Sequence, residues 1–398
     1  MNGALSLEEA QARLLALAPE MSAYEEEIAP ASAVRYLARD VKALGSQPSA
    51  DLSAMDGYAL GPGDGPWRRI GESRAGCPFA GTLGVGECVR ISTGAHIPAG
   101  GERILLQEDA RTQGDMIMAS ECPPQGRHVR KAGFDFHKGD TILSRGAPRN
   151  AATLALAAAA GHAALPWRAP PSVAVLDSGD ELVRVGQPCE PHQLPATNSI
   201  MLGAMLHPLV GPADRLGPVA DDRDALARTL RRAQDNHILV TSGGASVGDH
   251  DLIQPALEAW GARIEFWKVA IKPGKPLMVA TREVEWGRQV IIGLPGNPVS
   301  SFVTCFLFVL PLVRAAMGAA APLSRTITLP AAEALPSGGP RREFLRAVHD
   351  GGAVRRTGSQ DSSGLMALAQ ATCLIDRPAR AKAVEMGDPV PVHLLANG

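Results

Sequence analysis

The sequence predicts a multidomain α/β protein, with a doubly wound, mostly parallel sheet domain, an elongated helical part, a β-rich lobe and a C-terminal β domain. Strand-like apolar runs alternate with helical segments from 172 to 318, the pattern of a wound sheet whose ligands gather at the C-terminal ends of its strands. From 51 to 138 the texture changes to short apolar bursts broken by Gly, Pro and Asp, which favours a small all-β unit. The chain has 398 residues, more than one hydrophobic core usually serves, so several domains are expected.

The elongated helical part takes residues 1–50 and 139–171. Leu5, Leu7, Ala10, Leu14 and Leu17 fall on one side of a helix over 5–18, and Ser6 is placed to cap it ahead of Glu8 and Glu9. A second helical pattern runs over 31–44 and stops at Gly45, and an alanine-rich helix is expected over 150–164. The β-lobe at 51–138 carries bursts at 88–91, 103–106 and 116–118. Pro166, Pro170 and Pro171 then mark a domain boundary. The wound domain, 172–318, reads as strands at 173–176, 238–240 and 290–292 and within 264–269, with helices at 199–209, 223–234, 252–260 and 300–317. Residues 319–398 return to short β-like runs at 326–329, 344–348 and 390–394, a compact barrel-like domain.

A net charge of −2 offers no basic field for nucleic acid. The six cysteines lack CxxC or metal-finger spacing and read as reduced thiols, and the ten histidines show no HxH or HExxH pattern. The N-terminus has neither the basic nor the apolar region of a secretory signal. The apolar run 302–313 falls short of the roughly 20 residues a spanning helix needs and contains Pro311, so it reads as a core helix. A cytoplasmic protein without membrane or nucleic-acid partners is expected.

Three loops carry the chemistry. Thr241-Ser-Gly-Gly-Ala-Ser-Val-Gly-Asp-His-Asp251 is a glycine-rich turn between a strand and a helix, which aims backbone N–H groups and a helix N-terminus at an anion. Lys272-Pro-Gly-Lys-Pro276 holds two ammonium groups on a backbone stiffened by Pro273 and Pro276 and turned at Gly274. Gly293-Leu-Pro-Gly-Asn-Pro298 opens a helix that Asn297 is placed to cap, with Pro298 at its first position. Asp177-Ser-Gly-Asp-Glu181 follows a strand and admits two readings, an Asp-capped turn or an oxygen-ligand site for Mg²⁺. The islands 53–59, 90–98 and 133–137 in the β-lobe read, taken alone, as turns.

With these loops in order, the chain resembles the MoeA family of molybdopterin molybdenumtransferases, to which gephyrin's C-terminal half is related. The islands are SAMDGYA at 53–59, STGAHIP at 92–98, GFDFHKGD at 133–140, DSGDELV at 177–183 and TSGGASVGDHD at 241–251. They continue with FWKVAIKPGKPL at 266–277, GLPGNPVSS at 293–301, REFLRA at 342–347 and GSQDSSGLMALAQA at 358–371. Asp177 departs from the pattern, standing where the family commonly has Thr.

The resemblance implies that the α/β domain is of the molybdopterin-binding type. It also implies a homodimer whose cleft joins the α/β domain of one subunit to the β-lobe of the other. The implied reaction takes adenylylated molybdopterin and molybdate and yields the loaded cofactor and AMP, with Mg²⁺ as cofactor. Asp56, Thr93 and Asp135 would face the cleft from the β-lobe, and Glu181, Asp221 and Asp251 from the α/β side. Lys268, Lys272 and Lys275 would meet the anions. Ser242, Gly243, Gly244, Ser246, Gly248, Asp249, Gly274, Pro295, Gly296, Asn297 and Pro298 would bind the cofactor, and Asp180, Glu181 and Asp249 would hold Mg²⁺. Transient contact with the molybdopterin adenylyltransferase and with acceptor molybdoenzymes is implied as well. Two other readings are an adenylyltransferase acting one step earlier and a non-catalytic pterin-binding scaffold. The large β-lobe and C-terminal domain argue against the first, and the joint presence of Asp56, Glu181, Asp251 and the lysines against the second.

Overall fold

The computed structural model describes residues 4–30, 32–243 and 252–395. Six strands form the central sheet of the wound domain: β1 (Val173–Ser178), β2 (Asp214–Val219), β3 (Ile238–Ser242), β4 (Arg263–Trp267), β5 (Met278–Val284) and β6 (Gly287–Leu294). Their order is β2-β1-β3-β6-β5-β4. The first four run parallel, while β5 pairs antiparallel with both β6 and β4. Alternate residues of each central strand feed two separate cores, as the two-residue period of a strand requires. Val173, Val175, Ile238, Val240, Val290 and Ile292 pack on one face. Ala174, Leu176, Leu239 and Ile291 pack on the other. Both faces being covered, these strands read as unbroken apolar runs.

Helix α1 (Asn198–Val210) and the long helix α4, residues 298–316, cover the first face, with Leu202, Leu206, Val303 and Leu307 in that core. Helices α2 (Arg223–Arg232) and α3 (Ile253–Ala259) cover the second through Leu226, Leu230, Ile253 and Leu257. Among the described residues α4 alone is long and apolar enough to cross a membrane, but 89% of its most apolar window is buried inside the protein. The sequence predicted an uninterrupted α-helix there. Instead Cys305–Val309 forms a π-helical turn between two α-helical halves. Pro311 supplies the reason: it lacks an N–H and its ring crowds the preceding turn, so the ladder widens ahead of it.

The helix Leu7–Leu15 is capped by Ser6, whose Oγ accepts the Glu9 N–H at 3.1 Å. It buries Leu7, Ala10 and Leu14 in the first core of the wound domain, so this piece of the 1–50 segment packs with that domain. The helix expected over 31–44 is corrected. Ala31 lies outside the described residues, and 32–44 carries no helix but the short strand Val41–Lys42, paired with Thr141–Leu143. The Leu37 and Ala38 N–H groups donate to Ala147 and Pro166 carbonyls, at 3.0 and 2.8 Å. Leu37 and Val41, four apart, are buried against Leu143, Leu165 and Trp167 from an extended backbone, which mimics helical spacing. The alanine-rich helix forms at Ala151–Ala159 with a capping box between Asn150 and Thr153.

The β-lobe is a six-stranded sheet with a core on each face, Tyr58, Leu60, Trp67 and Leu105 on one and Ala59, Val89, Ile91 and Ile104 on the other. In the C-terminal domain Arg342–His349, Cys373–Arg377, Pro389–Leu394 and Thr326–Pro330 lie side by side. The short strand Ile271–Lys272 from the wound domain joins their edge, with Lys272 opposite Glu343. The lysine loop is thereby fixed between two domains.

Candidate active site

The loops leaving β1, β2, β3 and β6 emerge on one edge of the sheet and line a cavity of about 810 Å³. Asp177 is its most enclosed acid, 1% exposed. Asp177 Oδ2 accepts the Ser199 N–H at 3.1 Å, at the start of α1, while Oδ1 is buried with no hydrogen-bond partner among the described residues. Burial pushes this carboxyl above the usual carboxylate range, against the opposing pull of the Ser199 hydrogen bonds and the Arg215 charge. Ser178 Oγ donates to Asp221 Oδ1 and the Asp221 N–H donates to Asp180 Oδ1, both at 2.9 Å, so the loops after β1 and β2 lock together. The exposed Glu181 carboxylate lies over Gly179, where an added Cβ would stand 2.4 Å from Oε2. A side chain at 179 would displace that carboxylate.

The opposite wall is knitted by Asn198. Its Nδ2 donates to Ser242 Oγ at 2.7 Å and to the Gly296 carbonyl at 2.6 Å, joining the loops after β3 and β6. Gly243 has φ +96°, and a Cβ there would meet the Ser178 carbonyl at 2.7 Å, so only glycine lets the glycine-rich turn pass this close to β1. Pro298 takes the first helical position of α4 as expected, but the Asn297 side chain makes no cap. Ser362 of the C-terminal domain takes over: its carbonyl accepts the Val299 N–H at 3.1 Å, and its Oγ accepts from Asn297 Nδ2 at 3.0 Å.

A second cavity of about 340 Å³ adjoins the first, with Pro276 in both linings. Lys272, Lys275 and Arg341 line it together with Ser300, Gln360 and Ser362; Glu343 and Asp361 are its acids. Lys272 Nζ donates to Glu343 Oε1 at 3.1 Å. The Asp361 carboxylate is engaged by the Ser363 N–H and hydroxyl. Gly274 has φ +102°, and a Cβ there would press within 2.5 Å of Thr304 Cγ2, so the loop lies flat on α4. Three cations against one paired and one engaged carboxylate make this pocket suited to an oxyanion.

Of the residues singled out from the sequence, Glu181, Asp221, Gly243, Pro295, Gly296, Asn297 and Pro298 line the large cavity, and Lys272, Gly274 and Lys275 the small one. Ser242 reaches the large cavity through Asn198, and Asp180 through Asp221. Lys268 lines neither; its φ of +74° and backbone bonds to Leu5 and Leu277 place it at the crossing beneath the lysine loop. Asp56 and Thr93 meet in the β-lobe, where Asp56 Oδ1 accepts the Thr93 N–H at 2.7 Å. Asp135 is exposed on its own turn, and none of these three lines either cavity. Gly244, Ser246, Gly248, Asp249 and Asp251 lie outside the described residues. Sequence reasoning passed over Asn198, Ser300, Arg341 and Ser362, since a polar side chain at the start of a helix or strand carries no signal of what it will face.

Among the described residues no three His, Cys, Asp or Glu side chains converge closely enough to hold a metal ion. Mg²⁺ needs only one or two protein carboxylates when phosphate oxygens complete its shell, and the oxygen-only set of Asp180 and Glu181 beside the large cavity suits that arrangement.

Three family models match in sequence order: MoeA N-terminal region (domain I and II) over 5–161, probable molybdopterin binding domain over 174–315, and MoeA C-terminal region (domain IV) over 328–395. The chain is similar to the molybdopterin molybdenumtransferase of Haemophilus influenzae, at 36% identity over 79% of this chain and 78% of that one. It is similar also to molybdopterin molybdenumtransferase 2 of Mycobacterium tuberculosis, at 34% identity over 89% and 91%. The crystal structure of a molybdopterin biosynthesis moeA protein from Pyrococcus horikoshii OT3 shares the fold, with TM-score 0.85, 24% identity and coverage of 99% of this chain and 100% of that one.

Proposed function

The chain belongs to the MoeA family, and from that premise we propose that it is a molybdopterin molybdenumtransferase, a transferase of molybdenum cofactor biosynthesis. In this reading it takes adenylylated molybdopterin and molybdate and releases AMP with the loaded cofactor. The observation that carries it is the pair of adjoining cavities that share Pro276. The larger, rimmed by Glu181, Asp221, Gly243 and the Pro295–Pro298 turn, has room for a nucleotide-tagged pterin. The smaller one presents Lys272, Lys275 and Arg341 to molybdate.

Breaking a phosphoanhydride beside an incoming oxyanion concentrates negative charge, and fixed cations at that point stabilise it without reorganising. Lys272, Lys275 and Arg341 supply them. Asn198 and the Gly243 and Gly296 turns hold the cofactor's body against the sheet edge, and Asp177, closed off from water, keeps the start of α1 in place. Mg²⁺, held by Asp180 and Glu181 together with Asp249, would neutralise phosphate oxygens. Asp56, Thr93 and Asp135 are assigned to the cleft of a homodimer, contributed by the second protomer's β-lobe. An adenylyltransferase is the weaker reading, because Arg341, Glu343, Gln360 and Ser362 of the C-terminal domain build half of the oxyanion cavity. We further place the protein in the cytoplasm, in transient contact with the adenylyltransferase before it and the acceptor molybdoenzymes after it.

The test incubates purified protein with adenylylated molybdopterin, molybdate and Mg²⁺. AMP release that depends on molybdate is expected; release that is the same without molybdate, or none at all, overturns the assignment.

A further inference from the structure

We propose that a further pocket at the outer edge of the wound sheet, which meets the large cavity at Ala196, binds a small phosphate monoester of nucleoside monophosphate size. The pocket has a volume of about 630 Å³ and opens where β2, α1 and α2 meet residues 184–196. Its charged lining is Arg184, Arg215 and Arg232, with no Asp or Glu. Several guanidinium groups elsewhere in the chain rest on carboxylates, as Arg39 does on Glu25, Arg69 on Asp115 and Arg356 on Glu333. Two acids close in sequence to Arg215 and Arg232 are engaged elsewhere, and a third reaches Arg215 only from the neighbouring cavity. Asp214 accepts from Asn236 and Asp222 caps α2 through the Ala225 N–H, while the Asp177 carboxyl, held by the Ser199 N–H in the large cavity, feels the Arg215 charge from behind the pocket wall.

Arg232 alone has a bland explanation, since a cation in the last turn of α2 complements the helix end. Arg184 and Arg215 stand at no helix end: one follows the short strand Leu182–Val183, and the other stands on the sheet's edge strand. Arg215 Nε donates to Ser199 Oγ at 3.3 Å, which holds its guanidinium at the pocket wall. Three guanidinium groups with no carboxylate in their shared lining match the tetrahedral oxygens of a phosphate, which each fork can bind in bidentate fashion. The rest of the wall says what the phosphate carries. Val185 and Ile200 line the same pocket and are 53% and 41% exposed, an apolar stretch of wall beside the guanidinium groups. An inorganic oxyanion would leave them in water, whereas the organic body of a phosphate monoester would cover them. The volume falls within the roughly 300–1,000 Å³ typical of small-molecule sites.

The experiment is calorimetric titration of the full chain with AMP, with adenosine and with inorganic phosphate. The proteins are wild type, the Arg184→Gln/Arg232→Gln double variant and Lys272→Ala. AMP also suits the catalytic cavity, so the readout is the difference between variants. The expected result is an AMP-binding component weakened at least about tenfold in the arginine double variant and retained in Lys272→Ala, with adenosine failing to bind there and phosphate competing weakly. Identical AMP isotherms in wild type and the arginine double variant would overturn the proposal, as would adenosine binding as tightly as AMP.

Discussion

Replacing Lys272 by Ala separates a cation that serves the fold from one that serves an anion. In the folded chain Lys272 Nζ lies 3.1 Å from Glu343 Oε1, with the lysine side chain 56% and the glutamate 17% exposed. An ion pair whose lysine stands this open to solvent contributes only about 0–1 kcal/mol to stability. Lys272→Ala should therefore move the urea midpoint very little. A charge-assisted contact to molybdate is worth more, about 1–3 kcal/mol or roughly 5- to 150-fold in affinity. The loss should fall toward the upper end, because Glu343 remains in the oxyanion cavity with its counter-charge removed. Lys272→Ala/Glu343→Gln should accordingly regain part of the affinity. The assay is molybdate titration of AMP release beside equilibrium unfolding of the same preparations. Unchanged molybdate dependence, or a stability loss as large as the affinity loss, would refute the placement of the oxyanion beside Lys272.

Three further outcomes are expected. Glu181→Ala should lose molybdate-dependent AMP release while melting at the wild-type temperature, because the exposed carboxylate over Gly179 supports no packing; normal turnover would remove Glu181 from the reaction. Asp177→Asn should stabilise the protein more at pH 7 than at pH 4, as read by urea unfolding at both. Burial raises the Asp177 carboxyl in the folded state, so its ionisation favours folding least once pH rises through that raised value, while below the unfolded value of about 3.9 the penalty is absent. A variant less stable than wild type at pH 7 would contradict this. Phe308→Ala, at a fully buried position in the π-helical turn, should cost about 3–5 kcal/mol in unfolding free energy, and a loss under about 1 kcal/mol would show that the turn collapses to fill the gap.

The central strands β1, β3 and β6 were legible because both of their faces are buried, so their middles, 173–176, 238–240 and 290–292, are apolar throughout and no alternation confuses the pattern. The edge strand β2 was not: Asp214-Arg-Leu-Gly-Pro-Val219 buries only Leu216 and Val219, and its Gly and Pro argue against a strand. Residues 32–44 misled for the opposite reason, since Leu37 and Val41 have helical spacing while their backbone bonds go to distant segments. The site divides in the same way. Loops whose own glycines and prolines impose their shape stood out, as with the turns at Gly243 and Gly274. Arg341 and Ser362 did not, because their place beside Lys275 and α4 arises only when the C-terminal sheet takes in Ile271–Lys272 as a strand.

The helix Leu7–Leu15 has a consequence for how the chain assembles. Its apolar stripe is completed by α4, and Glu8 reaches Arg342, 334 positions away. Contacts of such long sequence separation form late, since the intervening loop must close first. Until then the stripe has no cover, and a shortened protein starting beyond Leu15 would leave the matching hollow in the wound domain open to water. Such a truncation is expected to precipitate even though it spares every residue of both cavities.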